Sequence, residues 1–109
     1  MIDIFLKNNN IPYKRQYIFR DCKYKSYLKF DFVIFNSDES IKFIIEFQGQ
    51  QHFKPYERFG GIKGFESQLK RDKIKFDYCK SKGIPLIYMD YKTSILKQLK
   101  KIFGNSWKY

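Results

Sequence analysis

Apolar and polar positions alternate with a period of two along two stretches in the first half of the chain, which predicts two β-strands. They cover residues 28–35 and 41–48. Residues 13–20 are also rich in β-forming side chains but alternate poorly, which favours an edge strand. The predicted apolar faces consist of Leu28, Phe30, Phe32 and Ile34 in the first stretch, and of Ile41, Phe43, Ile45 and Phe47 in the second.

Helical spacing and stop signals predict the remaining elements. We expect helices at residues 2–8, 65–82 and 93–103, and a short buried strand at 86–89. The order α-β-β-β-α-β-α predicts an α/β (α+β) fold, with a mixed sheet of about four strands flanked by helices. A right-handed crossover through the second helix would make strand 86–89 parallel to strand 41–48.

The composition adds one indication of function, which is the positive net charge. The chain has 109 residues, which fit a single domain at 1–109, and a formal net charge of +11. A hydrophobic content of 43% excludes a disordered tail, and we expect no membrane span. The charge favours nucleic acid as partner. Codon bias is the alternative, because the chain lacks alanine and most of its basic residues are lysines.

The cysteines and the N-terminus bear on location. Cys22 and Cys79 are too few for a disulfide scaffold, and residues 1–7 do not have the pattern of a signal peptide. An intracellular, cytoplasmic setting is expected. A zinc site formed by these cysteines and the only histidine, His52, is disfavoured because the three lack paired short spacing.

The hairpin between the second and third predicted strands carries two acidic residues. A turn centred between Asp38 and Glu39 would place Asp31 directly opposite Glu46, with Cβ atoms about 5 Å apart. Like charges in this position need neutralising, and a divalent cation would do so. The alternative is a slipped register that leaves both carboxylates solvated.

Two polar side chains follow Glu46 closely. Gln48 should project from the same face, and His52 comes four residues later. A neutral imidazole can bind a metal or accept a proton near pH 7, although a lone histidine near a strand end is more often structural.

The helix predicted at 65–82 has an acid on its apolar stripe. Phe65, Leu69, Asp72, Phe76 and Cys79 follow each other at spacings of four, three, four and three. A buried carboxylate is costly unless it is paired. Asp72 would therefore pair with a flanking Arg71 or Lys73, or reach the sheet and orient His52 or a metal.

These residues resemble the PD-(D/E)xK nuclease superfamily. Asp31 is followed after fourteen residues by Glu46-Phe47-Gln48, with glutamine in place of the usual lysine. Over residues 11–90 the chain is most similar to the branch of the very short patch repair endonucleases and the EDxHD-type phage homing endonucleases. The residues that carry the resemblance are KFDFVIF, IIEFQGQQHFKPYERFGG and FESQLKRDKIKFDYCKSKGIPLIYM.

The resemblance implies a restriction-endonuclease-like core and a Mg²⁺-dependent endonuclease, with Mn²⁺ as a substitute. Asp31, Glu46 and the backbone carbonyl of Phe47 would bind the metal, and Gln48 would hold a water or a phosphate oxygen. His52 would act as base or second ligand, supported by Asp72. The branch has an early glutamate on its first helix, for which Asp3 is the candidate substitute, and a phage, viral or mobile-element origin is implied.

The expected partner is double-stranded DNA, with a homodimer as an option and no small-molecule cofactor. The loop between the third strand and the second helix is the natural DNA clamp. The predicted DNA-binding residues are Lys54, Tyr56, Arg58, Gly60, Gly61, Lys63 and Arg71. The alternative for this loop is a plain connector.

Two other functions stay open at this point. The first is a catalytically impaired relic that binds DNA, in which the missing early glutamate and Gln48 in the lysine position disable cleavage. The second is an RNA-directed protein, supported by charge and tyrosines. Tyr13, Tyr17 and Tyr27 could stack on bases, although core packing and codon bias explain most of the aromatic content.

Overall fold

The computed structural model describes residues 1–49 and 52–104. Its elements follow the predicted order α-β-β-β-α-β-α. The helices are α1 (Ile2–Asn8), α2 (Gly61–Lys82) and α3 (Ile95–Phe103), and the strands are β1 (Tyr13–Tyr24), β2 (Ser26–Phe35), β3 (Ile41–Gln48) and β4 (Leu86–Asp90). In the described part, no helix is long and apolar enough to cross a membrane.

The four strands form one mixed sheet in the order β1-β2-β3-β4. The first three are antiparallel to their neighbours, and β4 is parallel to β3, with Ile44 opposite Leu86. The predicted edge position of β1, the parallel crossover and the bounds of α1 and β3 are confirmed. β1 is four residues longer than predicted, β2 begins at Ser26, and α3 begins two residues later than expected.

Helices cover both faces of the sheet, so the core has two parts. On one face, α1 and α3 pack on the sheet through a cluster that includes Phe5, Leu99 and Ile45. On the other face, α2 packs through a second cluster that includes Cys79 and Ile44. Because Glu46 lies two residues after Ile44, its side chain projects toward α2.

The predicted apolar face of β2 is wrong in one respect, because the strand changes face at Asp31. Leu28 and Phe30 belong to the cluster under α2, whereas Phe32 and Ile34 belong to the cluster under α1 and α3. Gln16, between the residues paired with Phe30 and Phe32, has a left-handed backbone with φ of 50°. The alternation is thus interrupted beside the predicted acidic site, a place where strand irregularities are common.

The start and the apolar stripe of α2 also differ from the prediction. The helix begins at Gly61, four residues early, after a 3-10 turn at Glu57–Phe59. Leu69 and Phe76 of the predicted core stripe are 47% and 49% exposed. The sheet-facing side carries more polar residues than a simple hydrophobic pattern allows, because it covers the carboxylates of the sheet. Its members that contact the site are Gln68, Arg71, Asp72 and Lys75.

Candidate functional site

Asp31 and Glu46 lie side by side where β2 and β3 separate. Main-chain pairing of the two strands ends at Phe32 and Ile45, which have the predicted register. Beyond that pair, the Asp31 amide donates to Glu46 Oε2 at 2.6 Å, and the Phe47 amide donates to Asp31 Oδ2 at 2.8 Å. Each carboxylate therefore accepts a hydrogen bond from a main-chain amide that would donate to a carbonyl in a continuous β-ladder. The backbone of the opposite strand thus holds both side chains in place.

Glu46 is the buried acid of the pair, with 7% of its surface exposed. Burial raises the pKa of its carboxyl above the ordinary value; the nearby Asp31 raises it further, and the Lys75 ammonium opposes both. Lys75 Nζ lies 2.6 Å from Glu46 Oε1 and also donates to the carbonyl of Lys29 at 2.6 Å. A lysine of α2 thus supplies the neutralising charge that the carboxylate pair requires.

His52 and Asp72 meet on the same side of the sheet. His52 Nδ1 lies 3.1 Å from Asp72 Oδ2. An ionised carboxylate can only accept, so this contact requires the proton on Nδ1 and makes Nε2 the acceptor of a neutral ring. Gln68 Nε2 donates to the other Asp72 oxygen at 2.9 Å, and Gln68 Oε1 accepts from Arg71 at 3.2 Å. Asp72 is therefore fixed from two sides and can orient the imidazole.

Asp31, Glu46, His52, Gln68 and Lys75 line one cleft of about 530 Å³ between α2 and the tip of the β1–β2 hairpin. Two carboxylates are at its base, and basic side chains surround them. The lining residues are Tyr24, Lys25, Ser26, Tyr27, Leu28, Lys29, Asp31, Glu46, Phe47, His52, Gln68, Arg71 and Lys75. Such an arrangement attracts an anionic ligand and presents acceptor oxygens to a cation that accompanies it.

The donor atoms here fit a hard divalent cation. Mg²⁺ is usually held by one or two carboxylates together with substrate phosphate oxygens. Among the described residues, Asp31 Oδ1 has a long contact of 3.4 Å, from Gln16 Nε2. The Phe47 amide points toward Asp31, and in an extended strand the carbonyl of the same residue points to the same side. Within the described residues no group of three or more His, Cys, Asp or Glu side chains gathers, so phosphate and water would complete the coordination.

Not every predicted residue lies in this cleft. Gln48 is on β3 opposite Asp90, and its side chain is not among the lining residues that the structure describes. Gln50 and Gln51 of the matched sequence motif lie outside the described residues. Asp3 forms an ion pair with Arg15 at 3.0 Å.

Asp31 also lines a second groove on the far side of the strand. This groove contains Asp3, Arg15 and Gln16. The structure therefore brings Asp3 near Asp31, on the face covered by α1, while Glu46 and Lys75 approach it from the face covered by α2. Asp31 is the acidic side chain common to both openings.

The predicted DNA clamp is only partly a loop. Gly61 and Lys63 belong to the first turn of α2, whereas Lys54, Tyr56 and Arg58 precede it. The cations of Lys54 and Arg58 lie 5.3 and 6.0 Å from the Tyr56 ring. A smaller cleft of about 160 Å³ joins this segment to the main one, since Gln68 and Arg71 line both.

The close backbone approach in this segment occurs at Gly64, a glycine that the sequence analysis did not single out. A Cβ there would overlap the carbonyl oxygen of Phe59. Gly60, which precedes the helix with φ of 87°, accepts the amide of Gly64 at 3.1 Å. The glycines therefore set how tightly the 3-10 turn folds onto α2.

Sequence reasoning missed Lys75, which links α2 to Glu46, and Gln68, which holds Asp72 on the same helix. A signal for both was present, because Gln68, Asp72 and Lys75 follow at spacings of four and three, which put them on one helix face. The sequence analysis placed the next positions, Leu69 and Phe76, on the core-facing side of the helix, so it did not recognise that the polar residues face the sheet.

Comparison with known proteins identifies one family. The family described as "Protein of unknown function (DUF2726)" matches residues 4–106. No curated protein and no solved structure matches the chain.

Proposed function

The chain belongs to the DUF2726 family, and we propose that it is a metal-dependent endonuclease that hydrolyses phosphodiester bonds in DNA. The observation that carries the proposal is the carboxylate pair of Asp31 and Glu46, held 2.6 and 2.8 Å from main-chain amides of the opposite strand in a basic cleft. Paired acids in a basic surround are suited to an anionic substrate that reacts with the help of a cation. The element order and the mixed sheet support a restriction-endonuclease-like core.

Asp31, Glu46 and the Phe47 carbonyl would hold Mg²⁺ or Mn²⁺. When bound, the ion would polarise the phosphate and lower the pKa of a water. Lys75, tied to Glu46, is placed to stabilise negative charge that builds on the phosphate, in the role expected of a lysine after Glu46. This position explains how the chain can dispense with a lysine at Gln48.

His52 is the candidate proton acceptor. The contact of its Nδ1 with Asp72 directs Nε2 away from α2 as the acceptor of the neutral ring. Gln68 holds Asp72 in turn, so that the orientation of the imidazole is set by a chain of hydrogen bonds anchored on the helix.

Double-stranded DNA is the proposed partner, and the segment before α2 is the proposed clamp. Lys54 and Tyr56 line the smaller cleft, and the Arg58 cation lies 6.0 Å from the Tyr56 ring. Lys63 follows in the first turn of α2, and Arg71 lines both clefts. Phosphate contacts of this kind position a substrate without reading its sequence.

A DNA-binding relic is the second candidate, favoured by one observation. Lys75 occupies Glu46 Oε1 at 2.6 Å, so the acid pair is already neutralised in part without a metal. In that case the cleft would bind the DNA backbone and leave it intact.

Nicking of supercoiled plasmid separates these functions. We expect the wild type to nick with Mg²⁺ or Mn²⁺ and not in EDTA, and we expect Asp31→Asn and Glu46→Gln to lose at least 100-fold in rate, in line with loss of a principal charge contact. Asp77→Asn is the matched control, because this acid is on the outer side of α2 in an exposed pair with Lys73. Salt-sensitive binding without nicking under any metal would refute the endonuclease and support the relic.

A further inference from the structure

The tip of the β1–β2 hairpin bends over the carboxylate cleft. Ile18 pairs with Lys29 and Lys23 pairs with Tyr27, so four residues of β1 lie opposite one residue of β2. An insertion of this size bends a strand and increases its twist. The β1 strand continues beyond it, and the turn at Lys25 has a left-handed φ of 67°.

Contacts with α2 hold the inserted residues in place. Cys22 is buried in the cluster under α2. Asp21 accepts the Tyr78 hydroxyl at 2.7 Å and lies 3.1 Å from Lys82 Nζ. The bend is therefore anchored to the same helix that carries Lys75, and the tip has a defined position relative to the acids.

The tip presents two aromatic rings with cations beside them. Tyr24 and Tyr27 line the cleft, and Tyr27 is 46% exposed. Lys25 Nζ lies 5.3 Å from the Tyr24 ring centre, and Lys23 Nζ lies 4.8 Å from that of Tyr27. Tyr13, Tyr17 and one side of the tip, Tyr24, pack against the core clusters, whereas Tyr27 belongs to neither cluster. Tyr27 is thus the tyrosine from the sequence analysis that the fold places at the cleft.

Rings flanked by cations are how proteins hold single strands, since every base has a stackable face and every phosphate a negative charge. A cleft of about 530 Å³ has the volume of a pocket for a ligand the size of a nucleotide. A base can stack on the tyrosine rings, with its phosphate near Asp31, only if one face of the base is exposed. In a duplex the neighbouring bases cover that face.

We propose that the hairpin tip, Tyr24 to Tyr27, is a stacking platform for an unpaired base of single-stranded DNA next to the phosphate at Asp31. The proposal rests on the proposed function for the identity of that phosphate. It sharpens the substrate from duplex DNA to DNA that has an unpaired segment at the site of cleavage.

Fluorescence anisotropy tests the platform apart from cleavage. A labelled 20-residue oligonucleotide is titrated, single-stranded and as a full duplex, in EDTA and at fixed salt. We expect the wild type to bind the single strand more tightly. Tyr27→Ala should weaken single-strand binding by roughly 5- to 150-fold, the range of one base–aromatic stack, and leave duplex binding unchanged.

Two variants complete the design. Tyr27→Phe keeps the ring and should bind like the wild type, while Phe76→Ala removes a ring that is 49% exposed on the outer face of α2 and should have no effect. Unchanged single-strand affinity in Tyr27→Ala, tighter binding of the duplex by the wild type, or tighter binding of RNA of the same sequence would overturn the proposal.

The two proposals fail separately in this design. If the plasmid is never nicked but Tyr27→Ala loses single-strand affinity, the platform stands and the endonuclease is refuted. If nicking depends on Asp31 and Tyr27→Ala binds single strands normally, the endonuclease stands and the platform is refuted.

Discussion

Replacing Lys75 by methionine tests whether the carboxylate pair depends on a cation for its stability. Methionine keeps much of the length of the chain and removes the ammonium. The side chains of Lys75 and Glu46 are 13% and 9% exposed, so solvent screens little of what is lost. Without the ammonium, Glu46 would be a buried carboxylate beside Asp31 with no opposite charge.

The size of the loss follows from the contact distance. At the 2.6 Å between Lys75 Nζ and Glu46 Oε1, and an effective dielectric constant of about 20, the direct attraction is about 6 kcal/mol. Desolvation of both groups offsets part of this, and deletion of one partner of a buried pair costs about 3–5 kcal/mol. We therefore expect Lys75→Met to lower Tm by about 12–20 °C at pH 7.

The loss should depend on pH in a defined direction. Burial already raises the pKa of Glu46 above its ordinary value of 4.5, and removal of Lys75 removes the main influence that lowers it. A carboxyl whose pKa is higher in the folded than in the unfolded protein favours folding while it is protonated. That contribution is fully present below the pKa of the unfolded state and is lost as the pH rises through the pKa of the folded state. The deficit of Lys75→Met relative to wild type should thus be smallest below about pH 4.5 and grow toward neutrality.

Thermal melts of three proteins from pH 4 to 8 decide the question. Lys73→Met removes the same charge from the same helix, where it forms an exposed pair with Asp77 at 2.9 Å, and should cost no more than about 0.5 kcal/mol. Mg²⁺ should raise the Tm of Lys75→Met more than that of the wild type, since a cation replaces the lost charge. Equal losses of Tm in the two variants, or a loss in Lys75→Met that does not change with pH, would show that the Lys75 ammonium does not stabilise the carboxylate pair.

Three further results are expected. Asp72→Asn should slow nicking by about 10- to 100-fold, with folding unchanged in circular dichroism, because the partner that fixes the His52 tautomer is altered; a wild-type rate would contradict this. Gly64→Ala should lower the free energy of unfolding by about 1–3 kcal/mol in urea titrations, because its Cβ would strike a backbone carbonyl; an unchanged midpoint would show that the turn is not tight. Cys22 and Cys79 are 1% exposed, and burial raises the pKa of the Cys79 thiol to about 11. Both should resist a thiol reagent at pH 8 until the chain unfolds, and rapid native labelling would contradict their burial.

The sequence predicted the carboxylate pair because the apolar residues of two neighbouring strands can pair in few ways. Phe32 lies opposite Ile45 as expected, but the predicted turn is wrong by half a residue. The turn is centred on Asp38, with Phe35 opposite Ile41, and an irregularity between Ile34 and Phe35 restores the predicted register. The contact of His52 with Asp72 was also among the expectations, since an acid on a sheet-facing helix side needs a partner.

The lysine of the site and the hairpin tip required the tertiary structure. On α2, hydrophobicity alone predicts that Leu69 and Phe76 face the sheet. In the structure the neighbouring polar residues face it instead, because Lys75 pairs there with Glu46. The extra residues of β1 leave no alternation to recognise, and their position depends on Asp21 meeting Tyr78, 57 residues away. Distant contacts of this kind override local pattern.

We expect Asp31 and Glu46 together to bind a divalent cation, and a Mn²⁺ titration followed by electron paramagnetic resonance measures this directly. The wild-type chain should bind one Mn²⁺, in competition with Mg²⁺. Asp31→Asn should lose this binding, and Asp77→Asn should bind like the wild type. Absence of bound Mn²⁺ in the wild type, or equal binding in Asp31→Asn, would contradict this expectation.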